Sequence, residues 1–427
     1  MKQYSFITVG GGSRGTTYTT EMLKMPEKYK LVGMADPLAQ RRRRYTEKFG
    51  LAPEQCYAGW QEILSKPKMA DIAIIATLDH MHYEPAMRAI ELGYDILLEK
   101  PVANTEKECI DIANAAKKKG VKVLVCHVLR YTPFYKKVKS IVKSGILGEV
   151  MSVDQVEAIG DVHFSHSYVR GNWHNSKTSA PMLLAKSCHD MDIMLWMMQE
   201  TAPISIASFG DDFQFGAARK PSDAGTRCMS DCPMVDSCRF SAKANYLAAP
   251  RWKQYVWKPL EGMGELTDEM KATSLATDNP YGKCVWDFER DGNVDHQTLI
   301  VKFANGATGS FNMIGGSAKS ERNIHIVGTE GEIKGTFEDS RFVVRTMAPS
   351  TKAGYTEEVY DLNVSGDKIG AMGGHGGGDE KLALDFVDYL NGAAPSVSCA
   401  TIADSAISHK AVFRAEQARK EGRIVKI

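Results

Sequence analysis

Phe6-Ile7-Thr8-Val9-Gly10-Gly11-Gly12-Ser13-Arg14-Gly15 decides the fold. An apolar run of strand length passes directly into Gly10-x-Gly12-x-x-Gly15, and a helical pattern follows. The glycine pattern alone is a weak signal, because glycine-rich turns are common. Its setting strengthens it: the next apolar run, 31–35, ends at Asp36, 21 residues after Gly15. Glycines let the backbone turn tightly and approach a pyrophosphate, and a helix N-terminus presents free N–H groups and partial positive charge to phosphates. Gly10, Gly12, Ser13, Arg14 and Gly15 are therefore candidate phosphate contacts, and Asp36 is the candidate acceptor for the adenosine ribose hydroxyls. A carboxylate there repels a 2′-phosphate, which favours NAD. The run Arg41–Arg44 keeps NADP open, although such a run reads more simply as a solvated helix face.

Working outward, apolar runs at 6–9, 31–35, 72–76, 96–98 and 122–125 alternate with amphipathic segments such as 84–92 and 106–119. Strands alternating with helices imply βαβ units and a parallel sheet, which defines a dinucleotide-binding domain over 1–126. The remaining 127–427 read as a second, α+β domain. A helix is expected at 134–144, a strand at 150–158, a polar His-rich stretch at 160–179 and an apolar helix at 190–198. Residues 209–292 show no clean period and read as an insertion. Strand patterns then return at 296–303, 309–313, 323–327, 332–337 and 341–346, separated by glycine-bearing turns that suggest an antiparallel meander. Helices at 380–391 and 402–420 and a strand at 423–427 close the chain.

A length of 427 residues calls for two domains rather than one. A net charge of +1 gives no electrostatic case for nucleic acid or an anionic membrane. No apolar run is long enough to span a bilayer. Met1-Lys2-Gln3-Tyr4-Ser5 leads straight into the first strand without the apolar region of a signal peptide, so a cytoplasmic protein is expected. Nine cysteines, an odd number, argue against a secreted disulfide framework.

Further stretches carry a family resemblance. Ala76-Thr77-Leu78-Asp79-His80-Met81-His82, Glu99-Lys100-Pro101, Arg130-Tyr131-Thr132-Pro133 and Gly328-Thr329-Glu330-Gly331 resemble motifs of the glucose–fructose oxidoreductase / inositol dehydrogenase (Gfo/Idh/MocA) family. The resemblance implies a Rossmann domain followed by an α/β domain on a large, open, mostly antiparallel sheet. The outer face of that sheet commonly mediates oligomers, so a homodimer or homotetramer is expected. It also implies a carbohydrate substrate bound between sheet and nicotinamide, with Thr77, His82, Glu99 and Lys100 on the cofactor side.

Oxidation of a secondary alcohol needs a base for the hydroxyl proton and a group that polarises the forming carbonyl. Lys100 directly follows a strand, at the sheet edge where such folds bind ligands, and next to the positive nicotinamide of NAD⁺ a depressed pKa is expected for it. His189 matches the family's catalytic histidine, and Asp192 its acidic residue three positions later. The family often has an aspartate four residues before that histidine. Here the position is Ala185, with Lys186 beside it, so the orientation of the imidazole is open. His163, His166, Arg170 and Trp173 suit sugar hydroxyls and ring faces, or else form a polar surface loop. His127, Arg130, Tyr131 and His375 are further substrate candidates, and Asp379 is a candidate helix cap.

Cys228-x3-Cys232-x5-Cys238, with Cys284, could hold a structural zinc that staples the insertion. Free thiols are an equal reading and an iron–sulfur cluster a weaker one. The leading function is NAD(P)-dependent oxidation or reduction of a sugar, inositol or sugar derivative. The alternative is an NAD-dependent glycosidase that oxidises, eliminates and re-reduces with a resident cofactor. A binding regulator without turnover is a third reading, against which Lys100 and His189 speak.

Overall fold

The computed structural model describes residues 2–249, 251–252, 255–362 and 377–427. Its first sheet contains β1 (Tyr4–Val9), β2 (Tyr29–Ala35), β3 (Cys56–Tyr57), β4 (Ile72–Ile75), β5 (Asp95–Leu98) and β6 (Val123–Val125). All of them pair in parallel, in the order β3-β2-β1-β4-β5-β6. β4 shows why its sequence is uniformly apolar. Ile72 and Ile74 enter one core cluster while Ala73 and Ile75 enter another, on the opposite face. A strand buried on both faces cannot alternate polar with apolar residues. Strand order reverses between β1 and β4, and a crevice at their carboxyl ends is where open α/β sheets bind ligands.

The second sheet contains β7 (Val150–Gly160), β8 (Pro203–Asp211), β9 (His296–Phe303), β10 (Thr308–Ser317), β11 (Glu321–Gly328), β12 (Gly331–Thr336), β13 (Arg341–Met347), β14 (Tyr355–Asp361) and β15 (Val425–Lys426). Its order is β14-β13-β12-β11-β7-β10-β9-β8-β15. The expected antiparallel meander is interrupted once: β7 lies between β10 and β11, parallel to β10 and antiparallel to β11, while the other neighbours pair antiparallel. β9 buries Gln297, Leu299, Val301 and Phe303 and exposes the residues between them, so one face of the sheet is core and the other is not.

β8 and β14 lie outside the strands expected from sequence. β8 starts at a proline and ends in Gly-Asp, and β14 is a charged, exposed edge. Edge strands often carry charge instead of an apolar pattern, because an apolar edge invites further pairing. Because β8 runs to Asp211 and pairs with β9, the irregular insertion lies between two neighbouring strands and begins at Asp212. It has a small core of its own, including Cys228, Tyr246, Leu275 and Tyr281.

The C-terminal helices return to the first sheet. Leu382 and Phe386, on helix Gly378–Leu390, share a cluster with Phe6, Tyr18 and Leu97, and the Tyr29 hydroxyl donates to the Ala383 carbonyl at 2.6 Å. Helix Ile402–Glu421 packs against helix Glu106–Lys119 on one side and β8 on the other. Among the described residues, no helix is long and apolar enough to cross a membrane.

Phe386 is fully buried in the core of the first sheet although it lies far along the chain. Phe386→Ala is expected to cost about 3–5 kcal/mol in denaturant unfolding and to lower NAD affinity with it. Unchanged stability would show that the C-terminal helix is dispensable to the nucleotide-binding half.

Candidate active site

The glycine loop joins β1 to helix Ser13–Leu23. Gly10 has φ +97°, and a Cβ there would lie 2.4 Å from the Ala76 carbonyl oxygen. A Cβ on Gly15 would lie 1.9 Å from the Gly10 carbonyl oxygen, so this glycine lets helix and loop touch. Gly12 faces more open space, with only Arg41 Nη1 near its Cβ direction, at 3.6 Å. Asp36 is buried and accepts from the Gly11 and Leu38 N–H groups, both at 2.9 Å. Tight backbone, free helix terminus and held carboxylate fit a dinucleotide. Gly10, Gly12, Ser13, Gly15 and Asp36 would hold it.

Arg14 turns away from the loop. Its guanidinium pairs with Glu99 Oε1 at 3.3 Å and Asp379 Oδ1 at 2.5 Å, and Tyr18 donates to Glu99 Oε2 at 2.8 Å. Arg14, Glu99 and Asp379 thus tie the two halves together behind the cofactor groove, and Asp379 is a salt-bridge partner as well as part of a helix start. His82 is fully buried between two carbonyls, with Nδ1 2.7 Å from Pro101 O and Nε2 3.3 Å from Thr77 O. It braces the turn after β5, while Thr77 Oγ1 donates to the Met81 carbonyl.

Lys100 follows β5, through Glu99, in a cis Lys100–Pro101 turn. Its Nζ donates to the Ala185 carbonyl at 3.0 Å. Burial disfavours its charge, yet the fields of Cys188, Glu99 and Asp79 outweigh burial and hold its pKa above the ordinary lysine value. The depression expected of Lys100 is tied to the positive ring of bound NAD⁺; the protein's own groups push the other way and favour the cation. His189 opens helix Cys188–Met197 just beyond the segment that Lys100 contacts, and its ring lies 5.6 Å from that of His127, edge to face. Burial pushes the Cys188 thiol up to about 12, so it is no nucleophile at neutral pH.

Residues 5–127 match the model of the Gfo/Idh/MocA family, described as an oxidoreductase family with an NAD-binding Rossmann fold. The nucleotide-binding part of the chain thus matches this family. YteT of Bacillus subtilis, described as a putative oxidoreductase, is 27% identical over 84% of this chain and 82% of its own length. The levoglucosan dehydrogenase of Pseudarthrobacter phenanthrenivorans is 30% identical over 36% of this chain and 40% of its own. A solved structure of levoglucosan dehydrogenase in complex with NADH covers 100% of this chain and 99% of that one, with a TM-score of 0.72 at 18% identity. This protein is therefore an NAD(P)-dependent oxidoreductase.

At Ala185, where the resemblance implied an aspartate, the partner of Lys100 is the main-chain carbonyl. Lys186 pairs instead with Glu157 at 2.9 Å, and Arg322 contacts Glu157, Asp190 and Glu338 at 2.6, 3.0 and 3.2 Å. Burial lowers the pKa of Lys186 and raises that of Asp190. Several expected substrate contacts are engaged elsewhere. Asp192 takes both forks of Arg130, at 2.7 and 2.6 Å, and both side chains are buried. Tyr131 donates to Asp385 at 2.7 Å at the seam between the halves. His127 is buried beneath His189, its pKa held well down by burial and by Arg130 and Lys100.

The stretch read as a polar loop is helical over Asp161–Phe164 and Ser165–Arg170 and mostly buried. His166 stacks on Tyr281 and Arg170 enters the insertion, so neither is placed for substrate. Trp173 Nε1 donates to Asp79, in the loop after β4, at 2.7 Å. His163 feels Lys186 and stacks on Trp252. These two remain at the rim of the site. His375 lies outside the described residues.

The arginine run is not simply a solvated face. Arg41 reaches Asp36 at 3.4 Å, Arg42 donates to the Asp36 carbonyl and Arg44 to the Gly11 carbonyl. None of the four insertion cysteines is in a disulfide, and no group of three or more His, Cys, Asp or Glu among the described residues is spaced to hold a metal as it stands.

His409, unforeseen from sequence, accepts the Val102 N–H at Nε2 (3.0 Å), so its Nδ1–H donates to the Ser405 carbonyl (2.7 Å). No motif surrounds it, and only the fold brings helix Ile402–Glu421 to Val102. Its pKa is pushed down to about 3, chiefly by burial. A depressed histidine contributes full stability above the unfolded value of 6.5 and loses it as pH falls from there toward 3. His409→Gln is expected to flatten the acid limb of stability against pH by about 1.4 kcal/mol per pH unit, read by urea unfolding between neutral and mildly acidic pH. An unchanged slope would show that His409 titrates alike in both states.

Proposed function

We propose that this oxidoreductase acts on a secondary hydroxyl of a sugar, inositol or sugar derivative, with NAD as cofactor. The observation that supports it best is the convergence of Lys100 and the 185–189 turn at the carboxyl edge of the first sheet, beside the glycine loop. Bound NAD⁺ would supply the hydride acceptor. His189 takes the hydroxyl proton as the C–H bond breaks and the C=O bond forms. Lys100, a cation fixed by the Ala185 carbonyl, steadies the negative charge that develops on the oxygen. Asp36 supports NAD over NADP, although Arg41 beside it leaves NADP within reach.

The assay is NADH absorbance with NAD⁺ and a panel of free sugars and inositols. Lys100→Met and His189→Ala are expected to lower kcat by roughly 10²–10⁴-fold while NAD still binds. Full activity in either variant would remove that residue from the mechanism.

One observation favours a second reading. Residues of the insertion reach over the glycine loop: Glu261 lies 3.6 Å from Arg41, and the Tyr255 hydroxyl is hydrogen-bonded to Ser13. Such a strap would slow cofactor exchange, as suits a redox-neutral glycosidase with a resident cofactor. Release of an aryl leaving group without net NADH would favour this reading; NADH in step with product would end it.

The exposed face of the second sheet carries Phe209, Ile300 and Ile314. Apolar exposure on a sheet face supports a homo-oligomer formed there. Sedimentation is expected to show a dimer or tetramer that Ile300→Lys weakens; a monomer at every concentration would rule this out.

A further inference from the structure

The insertion brings Cys228, Cys232, Cys238 and Cys284 to the wall of a single small cavity. Two are placed by backbone pairing. Arg227 and Lys283 form an isolated antiparallel bridge, the Cys228 N–H donates to Gly282 O and the Cys284 N–H to Thr226 O, both at 2.9 Å. Side chains alternate across a paired segment, so Cys228 and Cys284 share the face opposite Arg227 and Lys283. The other two come from the intervening turns, where the Val235 N–H bonds to Cys232 O and the Cys238 N–H to Met234 O.

A second, independent feature points into the same cavity. Arg170 is 2% exposed and lines it. Its Nε donates to Lys283 O, and its Nη2 to Phe240 O and, at 3.6 Å, to Cys228 Sγ. Its Nη1 is buried with no hydrogen-bond partner, and no carboxylate among the described residues pairs with it. A buried guanidinium without a counter-charge is costly. Neutral thiols do not offset it, whereas thiolates would.

We propose that the four cysteines bind one zinc-class metal ion as thiolates, with Arg170 as the buried counter-charge. Zn²⁺ displaces four thiol protons, and the resulting tetrathiolate centre carries two negative charges beside the guanidinium. The cavity is small, about 20 Å³, and a single ion is the simplest occupant that four thiolates can close around. As the thiols stand they are not yet spaced as ligands, so the side chains must turn inward about their Cα–Cβ bonds. The role is structural. The site joins both ends of an insertion whose own core contains only a few large side chains, in the way small domains are stapled by metal. It is remote in chemistry from Lys100 and His189 and does not depend on the substrate assigned above.

The test is elemental analysis of the full-length protein, purified without chelators or metal-affinity resin, together with native thiol titration. About one zinc per chain, released when a mercurial blocks the thiols, is expected. Cys232→Ser with Cys238→Ser should lose it. If that variant fails to fold, cobalt-grown wild-type protein gives the answer by the intense sulfur-to-cobalt absorption of a tetrathiolate site. Metal-free protein whose insertion thiols react freely, with no such absorption after cobalt growth, would overturn the proposal. Iron with equimolar acid-labile sulfide would overturn the single-ion form of it.

Discussion

The bond from the Val102 N–H to His409 Nε2 holds the turn on which the chemistry of this chain rests. Lys100 lies two residues before Val102, and the helix that carries His409 packs against the nucleotide-binding half and against β8 of the second sheet. A backbone N–H buried at such a junction costs about 1–3 kcal/mol if left without an acceptor. Only an uncharged imidazole can accept it, and burial keeps this ring uncharged. The second sheet is thereby held in register with the lysine through a single helix.

Buried ion clusters recur on both sides of that helix's junction. Arg14 joins Glu99 to Asp379 across the two halves, while Arg130 with Asp192, and Arg322 with Glu157, Asp190 and Glu338, lie within the second half. Buried ion pairs add little net stability, since desolvation consumes most of their attraction. Their directional forks, however, leave few alternative ways to pack the elements that carry them. A hydride donor and acceptor need alignment within fractions of an ångström, and directional contacts serve that need better than oily ones.

Much of this was legible in the sequence, for physical reasons. Strands buried on both faces are continuously apolar, so β1, β2 and β4 could be read, and helix Glu106–Lys119 shows in its amphipathic pattern. The glycine loop was legible because only glycine tolerates the backbone approaches at Gly10 and Gly15. What failed depends on contacts remote in sequence. Arg130 and Asp192 have the chemistry of a sugar-binding pair, but each satisfies the other. His166 and Arg170 look like loop residues until the insertion folds over them. The depressed pKa expected of Lys100 weighed only the positive nicotinamide beside it, without the acidic neighbours that the fold supplies. β14 was invisible because an exposed edge strand needs no apolar pattern.

The contact between Lys100 and the Ala185 carbonyl has a consequence of its own. A side-chain partner can be erased by one codon change, whereas every residue type brings the same main-chain oxygen. Position 185 is thus released from supplying an acceptor and answers only to the space around it, which is closely packed. The lysine's anchor has become a property of backbone shape. It is robust to mutation at the contact itself, and vulnerable to anything that bends the segment from Met182 to Cys188.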